Sequence, residues 1–263
     1  MVKRKRPATG YGNWVPAKVI RSVGIISLGW LIITVIALYY FKLILCLPVI
    51  LVFLFFFITF FYFRYAHTLF SEKGGDIQNK VYNLIFDFLG SEVKGKILDI
   101  GCGNGKLLIR LAQKYPDCQF HGMDYWDGVW DYSRESCINN AKEEGVDERI
   151  TFRQASASSL PYDENSFDLV LSNLVFHEVK DSKNKRELVK EALRVLKPGG
   201  RFVFQDLFQI RSIYGDIDDF LKEVGSWGIK DVRFADTSKS PFIPKVLRLS
   251  FMLGGLGVIE GNK

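Results

Sequence analysis

Acid is almost absent where the chain begins. Of the first 73 residues only Glu72 is acidic, while nine are basic: Lys3, Arg4, Lys5, Arg6, Lys18, Arg21, Lys42, Arg64 and Lys73. The formal net charge of +6 therefore belongs to this segment, and the remainder, with 26 basic and 28 acidic residues, is close to neutral. A near-neutral body has no basic excess to meet phosphates, so nucleic acid is not expected as a partner. Cysteine and histidine are also scarce, at four and three. Cys46, Cys102, Cys118 and Cys137 form no C-x-x-C pair and no metal spacing with the histidines, which argues against a zinc site or a disulfide framework. Reduced thiols in a cytosolic compartment are the expectation. No internal repeat is present, and no low-complexity segment beyond the basic N-terminus.

Charge is missing again from Val23 to Phe41, 19 residues, and from Leu43 to Phe63, 21 more. Each run suits a ~30 Å hydrocarbon core at about 1.5 Å per residue. One helix through both would be about 60 Å long, so a hairpin is expected, broken near Lys42 to Pro48 with Pro48 in the first turn of the second helix. A cleavable signal peptide fits poorly, because the first run is too long, lacks a small-x-small site and leads straight into a second run. A buried hairpin of a soluble protein would need a polar face that these runs do not have. The domain boundaries that follow are a basic N-terminus at 1–21, a transmembrane hairpin at 22–65 with spans at about 22–41 and 44–64, and a separate domain at 74–263. Basic residues precede the first span and follow the second, with only Lys42 between. The positive-inside bias then makes this a two-pass protein of the cell membrane, with both termini cytoplasmic and the turn outside. Neither span carries an acid, Asn or Gln, so a tether to the lipid bilayer is expected rather than a transport path. Ser27, Thr34 and Thr59 can bond back to their own helices.

Beyond Gly74-Gly75, a helical pattern runs from Ile77 to Leu89 and ends near Gly90. Strand-like and helix-like segments then alternate. Strands are expected at 97–100, 119–123, 150–153, 167–171, 201–204, 232–234 and 256–259, and helices at 106–115, 129–144, 184–196 and 216–227. The alternation argues for an α/β fold with a doubly wound sheet and its ligand at the carboxyl ends of the strands. At the first such end stands Asp99-Ile100-Gly101-Cys102-Gly103-Asn104-Gly105, between an apolar strand and the helical pattern Leu107, Leu108, Leu111, Ala112. Glycines let a backbone approach a ligand, and a helix N-terminus offers free N–H groups. A dinucleotide loop reads G-x-G-x-x-G. Here the pattern is D-x-G-x-G-x-G, whose carboxylate repels a pyrophosphate and receives an ammonium group.

This pattern resembles the first motif of class I S-adenosylmethionine-dependent methyltransferases, and three further stretches support the resemblance. Phe120-His121-Gly122-Met123-Asp124 ends the second strand, and Asp124 stands 23 residues after Gly101. An acid there accepts two ribose hydroxyls, with a helix N-cap as its structural alternative. Tyr125 or Trp126 can cover the adenine face. Gln154-Ala155-Ser156-Ala157-Ser158-Ser159-Leu160-Pro161-Tyr162, followed by Ser166-Phe167-Asp168, is similar to the family's G-D-A-x-x-L-P-F…S-F-D stretch. There the family's adenine-contacting acid is replaced by Ser156, a hydroxyl without charge. Glu191 to Arg201 is similar to the turn that ends a helix with Pro-Gly-Gly and restarts the fifth strand. The resemblance covers 97–206 firmly and 207–263 loosely. It implies a seven-stranded, mostly parallel sheet and S-adenosyl-L-methionine as cofactor, held by Asp99, Gly101, Gly103, Gly105, Asp124, Tyr125, Trp126, Ser156, Ala157 and Asn173, with no metal.

The acceptor side is expected beyond the fourth strand, at Ser172 to Glu178. Asn173 can orient an acceptor through its amide, and His177 can act as base near neutral pH. His177 and Glu178 can equally cap the next helix or pair on the surface. Gln205-Asp206 forms a second polar pair with the same two readings. Ser240 to Leu253 mixes apolar bulk with Lys245 and Arg248. It reads either as a basic apolar lip facing lipid headgroups or as a β-hairpin crossing with core, and the second is favoured because no amphipathic period is visible. The expected activity is methyl transfer to a small or amphiphilic acceptor: a lipid, a quinone or a metabolite. The alternative is a non-catalytic S-adenosylmethionine-binding membrane sensor or scaffold.

Overall fold

The computed structural model describes residues 10–126 and 132–263. The chain divides into two compact units, residues 12–80 and residues 81–263, the latter joined by Gly10 and Tyr11.

In the first unit α1 (Ala17–Tyr40) and α2 (Leu43–Phe70) form an antiparallel hairpin. The start of α1 meets the end of α2: Asn13 donates to the His67 carbonyl at 3.0 Å, and the Trp14 and Phe70 rings lie 5.4 Å apart. Farther along, Gly24 lets the Phe60 ring approach so closely that an added Cβ would stand 3.0 Å from it. The helices are 24 and 28 residues long, or about 36 and about 42 Å. Their most apolar 18-residue windows have mean hydropathies of 2.2 and 3.1, and only 11% and 6% of those windows are buried. The chain breaks at Phe41-Lys42, so α2 starts earlier than expected. Pro48 falls inside the helix rather than in its first turn, and its missing N–H leaves one helical bond unmade. The second helix also runs past residue 64 to Phe70. Thr34 and Thr59 bond back to Trp30 and Phe55 at 2.7 Å each, as expected.

After α3 (Ile77–Leu89), the second unit alternates β1 (Lys96–Ile100), α4 (Lys106–Lys114), β2 (Gln119–Asp124), α5 (Arg134–Glu143), β3 (Ile150–Gln154) and β4 (Phe167–Asn173). It continues with α6 (Lys185–Arg194), β5 (Leu196–Asp206), α7 (Arg211–Tyr214), α8 (Ile217–Ser226), β6 (Lys230–Asp236) and β7 (Gly257–Asn262). The expected helix at 129–144 begins only at Arg134, and 127–131 lies outside the described residues. The short α7 was not expected, since four residues show no periodicity. The seven strands form one sheet in the order β3-β2-β1-β4-β5-β7-β6. Only β7 runs antiparallel to its neighbours. The order reverses between β1 and β4, which opens a crevice at the carboxyl ends of those strands, the usual ligand position of a doubly wound sheet. The continuous burial of Leu98, Ile100, Val170, Phe202 and Phe204 explains why the strands read as apolar runs.

Two expectations change. Pro198-Gly199-Gly200 lies inside β5 as a bulge rather than ahead of it: the register jumps from Phe167 opposite Leu196 to Leu169 opposite Arg201. Gly199, at φ 77°, turns the strand there, and its N–H donates to the Lys263 carbonyl at 2.7 Å. The 240–253 segment belongs to the long connection between the antiparallel neighbours β6 and β7. Its Ile243, Leu247 and Leu253 are core, while Leu249 and Phe251 are exposed. Arg248 is occupied within it, donating to the carbonyls of Ile243 and Ser240. The segment thus follows the reading as a crossing with core, with Leu249 and Phe251 left exposed.

Gly101 joins three parts of the sheet edge. It has φ 73°, and a Cβ there would stand 2.1 Å from a Val175 methyl on the loop after β4. Gly101→Ala should therefore lower stability by about 2–4 kcal/mol, a left-handed penalty plus overpacking. Thermal unfolding of the detergent-solubilised chain checks this, and an unchanged midpoint would refute it.

Candidate active site

The loop between β1 and α4 is shaped by Gly101, Gly103 and Gly105, all left-handed at φ 73°, 56° and 79°. It is tied to the end of β2. The N–H groups of Gly101 and Cys102 both donate to the Met123 carbonyl, at 2.7 and 3.0 Å. Gly103 N–H donates to Asp124 Oδ2 at 2.8 Å, and Trp126 N–H to Oδ1 at 2.9 Å. Each Asp124 oxygen retains lone-pair capacity for a diol. The Trp126 indole donates to the Gly103 carbonyl at 2.8 Å, so its ring lies over the glycine loop. Tyr125 is exposed and has freedom to stack. Ser156, half-buried, starts the segment after β3, and the Ala155 N–H just before it donates to the Asp124 carbonyl at 3.0 Å. The Ala157 side chain is buried in the core, so only its backbone can face a ligand.

Asp99 decides what the loop can hold. It is 1% exposed, and neither carboxylate oxygen has a hydrogen-bond partner. Burial, together with the Asp124 charge, pushes its pKa up to about 8. An orphaned buried carboxyl is costly unless a partner arrives, and beside a glycine turn the fitting partner is an ammonium group. Along the carboxyl edge the parallel neighbours β1, β2 and β3 bring Asp99, Asp124 and Ser156 within about 10 Å, groups suited respectively to an ammonium, a diol and a base. These residues fit S-adenosylmethionine.

On the other side of β1, β4 and β5 bring the acceptor candidates together. The Asn173 oxygen accepts from Gln205 Nε2 at 2.7 Å, which leaves the Asn173 amide N–H groups to be presented as donors. His177 sits on a single helical turn, Phe176–Glu178, and its Nδ1 lies 2.5 Å from Asp206 Oδ1. Asp206 is fully buried at the end of β5 and also accepts from the Leu207 N–H at 2.6 Å. Burial disfavours the His177 cation, but the Asp206 charge and hydrogen bond, with Glu178 adding, outweigh it and raise the imidazole above its usual pKa. With Nδ1–H held by Asp206, the neutral imidazole carries its lone pair on Nε2, which lies 3.8 Å from Glu178 Oε1, so the alternative pairing of these two residues is also present. The polar pair at 205–206 thus orients the two acceptor-side candidates, a link that 29 residues of separation concealed from the sequence. Asp181, which bonds Ser156, also had no local signal. Among the described residues no cluster of His, Cys, Asp and Glu can hold a metal.

Residues 98–204 match the family model for a methyltransferase domain. Over 157 residues the chain is 32% identical to a biotin biosynthesis bifunctional protein of Teredinibacter turnerae, spanning 55% of this chain and 26% of that protein. Over 134 residues it is 33% identical to a ubiquinone/menaquinone biosynthesis C-methyltransferase of Rickettsia prowazekii, spanning 49% of this chain and 50% of that protein. The chain thus spans half or less of the length of these curated relatives. Its fold is shared with geranyl diphosphate C-methyltransferase from Streptomyces coelicolor, solved with S-adenosylhomocysteine, at TM-score 0.54 and 15% identity over 70% of this chain and 79% of that chain. Residues 98–204 are thus similar to a methyltransferase domain, on a fold whose solved examples hold S-adenosylmethionine or S-adenosylhomocysteine.

With its pKa pushed up to about 8, Asp99 would lose a proton on pairing with the donor's ammonium, which makes binding proton-linked. Affinity should therefore rise with pH toward about 8 and fall again once the ammonium itself loses its proton. Calorimetry at pH 6.5 in buffers of differing ionisation enthalpy should show close to one proton released on binding, and none in Asp99→Asn. Proton-neutral binding by the unaltered chain would remove Asp99 from the ammonium subsite.

Proposed function

We propose that this protein is an S-adenosylmethionine-dependent methyltransferase, anchored to a membrane by the α1–α2 hairpin, that methylates a small or amphiphilic acceptor such as a lipid, quinone or metabolite. The observation that carries the donor half is the buried, partnerless Asp99 beside the glycine loop. Turnover, rather than sensing, is favoured by His177, which a buried carboxylate holds in one tautomer at the same sheet edge. Relatives named for ubiquinone/menaquinone biosynthesis and a fold neighbour named for geranyl diphosphate support a small or amphiphilic acceptor.

The reaction is an in-line displacement at the methyl carbon, so the protein's main task is to hold donor and acceptor aligned. Asp99 and Asp124 fix the donor through its ammonium and ribose. The Asn173 amide offers hydrogen bonds to an acceptor oxygen. His177 Nε2 receives the proton the acceptor loses as its bond to the methyl carbon forms, and Asp206 balances the imidazolium that results.

His177→Ala should lower turnover by roughly 10²–10⁴ while leaving donor affinity nearly unchanged. Because Asp206 raises the imidazole pKa, the rate should fall as pH drops through a value above 6.5, and Asp206→Asn should move that limb to lower pH. The acceptor for these assays comes from incubating the purified chain with isotope-labelled donor and total lipid and metabolite extract, and isolating whichever molecule gains label. Wild-type turnover by His177→Ala on that acceptor would remove His177 from the mechanism.

Membrane insertion is supported by the lengths, the hydropathy and the exposure of α1 and α2. A hairpin of this kind, once inserted, has the chain before α1 and after α2 on one side of the bilayer, and the basic flanks favour the cytoplasm as that side. Reporters at residues 1 and 263 should both read cytoplasmic, with only a tag at Lys42 labelled from outside. External labelling at either end would overturn this topology.

A further inference from the structure

The segment after β3 and the segment between the His177 turn and α6 meet at one oxygen atom. Asp181 Oδ2 accepts from Ser156 Oγ at 2.6 Å and from Ser158 Oγ at 2.8 Å. The two hydroxyl oxygens lie 2.9 Å apart, and Ser158 N–H donates to Ser156 Oγ at 3.2 Å. Hydrogen bonds from these hydroxyls, Ser156 first, hold the Asp181 carboxyl below the usual carboxylate range, so it is ionised at neutral pH. An ionised carboxylate only accepts. Both serine protons are therefore drawn to Asp181, and the cluster presents outward nothing but oxygen lone pairs and a negative charge.

Its position gives that polarity a meaning. Ser156 follows β3, two strands from Asp99 and one from Asp124, with Ala155 bonded directly to the Asp124 carbonyl. A ligand whose ammonium meets the buried, partnerless Asp99 and whose diol meets Asp124 has its base at Ser156. A free serine hydroxyl does not discriminate there, because it rotates to donate or accept as the ligand requires. A hydroxyl whose proton is committed can only accept.

We propose that Asp181 is a positioning residue that sets the base specificity of the cofactor site: by taking the Ser156 and Ser158 protons it makes the subsite an acceptor for an exocyclic amino group, as in adenine, and hostile to a carbonyl at the same place, as in hypoxanthine. This rests on the cofactor reading above. It also moves the negative charge of the base subsite from the strand-end position, where Ser156 stands, to a residue 25 positions later.

The test compares S-adenosylhomocysteine with S-inosylhomocysteine, which replaces that amino group by a carbonyl and turns the adjacent N1 from an acceptor into an N–H donor, by calorimetry on the detergent-solubilised full chain. The unaltered protein should prefer the adenosyl ligand by roughly tenfold, the scale of one hydrogen bond made against one repelled at a half-exposed site. In Asp181→Ala the released hydroxyls can reverse, and the preference should shrink to within about threefold, mainly through tighter binding of the inosyl ligand. Asp181→Glu should restore part of the preference. The Ser156→Ala/Ser158→Ala chain, measured in parallel, should lose it as well, which keeps the test decisive if Asp181→Ala misfolds. If Asp181 only held the loop in shape, both ligands would weaken by the same factor and the ratio would stand. That result, or no preference in the unaltered chain, overturns the proposal. Absence of S-adenosylhomocysteine binding in the unaltered chain would instead bring down the cofactor reading itself.

Discussion

The sheet edge depends on one steric constraint, the passage of the backbone from β1 into α4 through three left-handed glycines. No side chain fits at Gly101, because Val175 from the loop after β4 occupies the place where a Cβ would stand. The same turn is bonded to the end of β2 through the Met123 carbonyl and the Asp124 carboxylate. Three neighbouring strands are thus locked together at their carboxyl ends by one short loop. The locking brings Asp99, Asp124 and the start of the β4 loop into a fixed relation before any ligand arrives. Such preorganisation matters for a reaction whose catalysis is mostly alignment.

Two buried carboxylates stand on either side of that loop in opposite states. Asp99 has no partner and is driven toward the neutral form. Asp206 is fully buried yet bonded to His177 and to a backbone N–H. A buried carboxyl without a partner is costly, and a ligand cation would relieve it, whereas a bonded one fixes its partner's geometry. The first suits the ligand role proposed for it, and the second orients an imidazole. The contrast between them argues function more directly than either residue does alone.

Much of this was legible in the sequence, for identifiable reasons. The central strands β1 and β4 are buried on both faces, so they appear as near-continuous apolar runs, and the expected ends of β1 to β4 fall within one or two residues of the observed ones. Asp99, the glycines and Asp124 are also local, since each lies within a few residues of its own strand end. What stayed hidden was set by tertiary contact. Asp206 and His177 are 29 residues apart, and Asp181 and Ser156 are 25 apart, with no periodicity linking either pair. The bulge at Pro198-Gly199-Gly200 was misplaced because those residues signal a turn wherever they occur, and only pairing with the C-terminal Lys263 shows that the strand continues through them. Pro48 misled in the same way, as α2 is long and apolar enough to tolerate a missing hydrogen bond near its start.

The same division between local and distant signals explains why the donor is so much better defined than the acceptor. Donor contacts come from three adjacent strand ends, where the backbone geometry is imposed by the sheet. The acceptor-side candidates lie at the ends of β4 and β5 and in the loop after β4, and loops vary while the sheet persists. In this chain the β6–β7 connection spends Ile243, Leu247 and Leu253 on the core and leaves Leu249 and Phe251 exposed. The sheet does not impose the form of such a connection, so the acceptor side has no local signature to match the glycine loop.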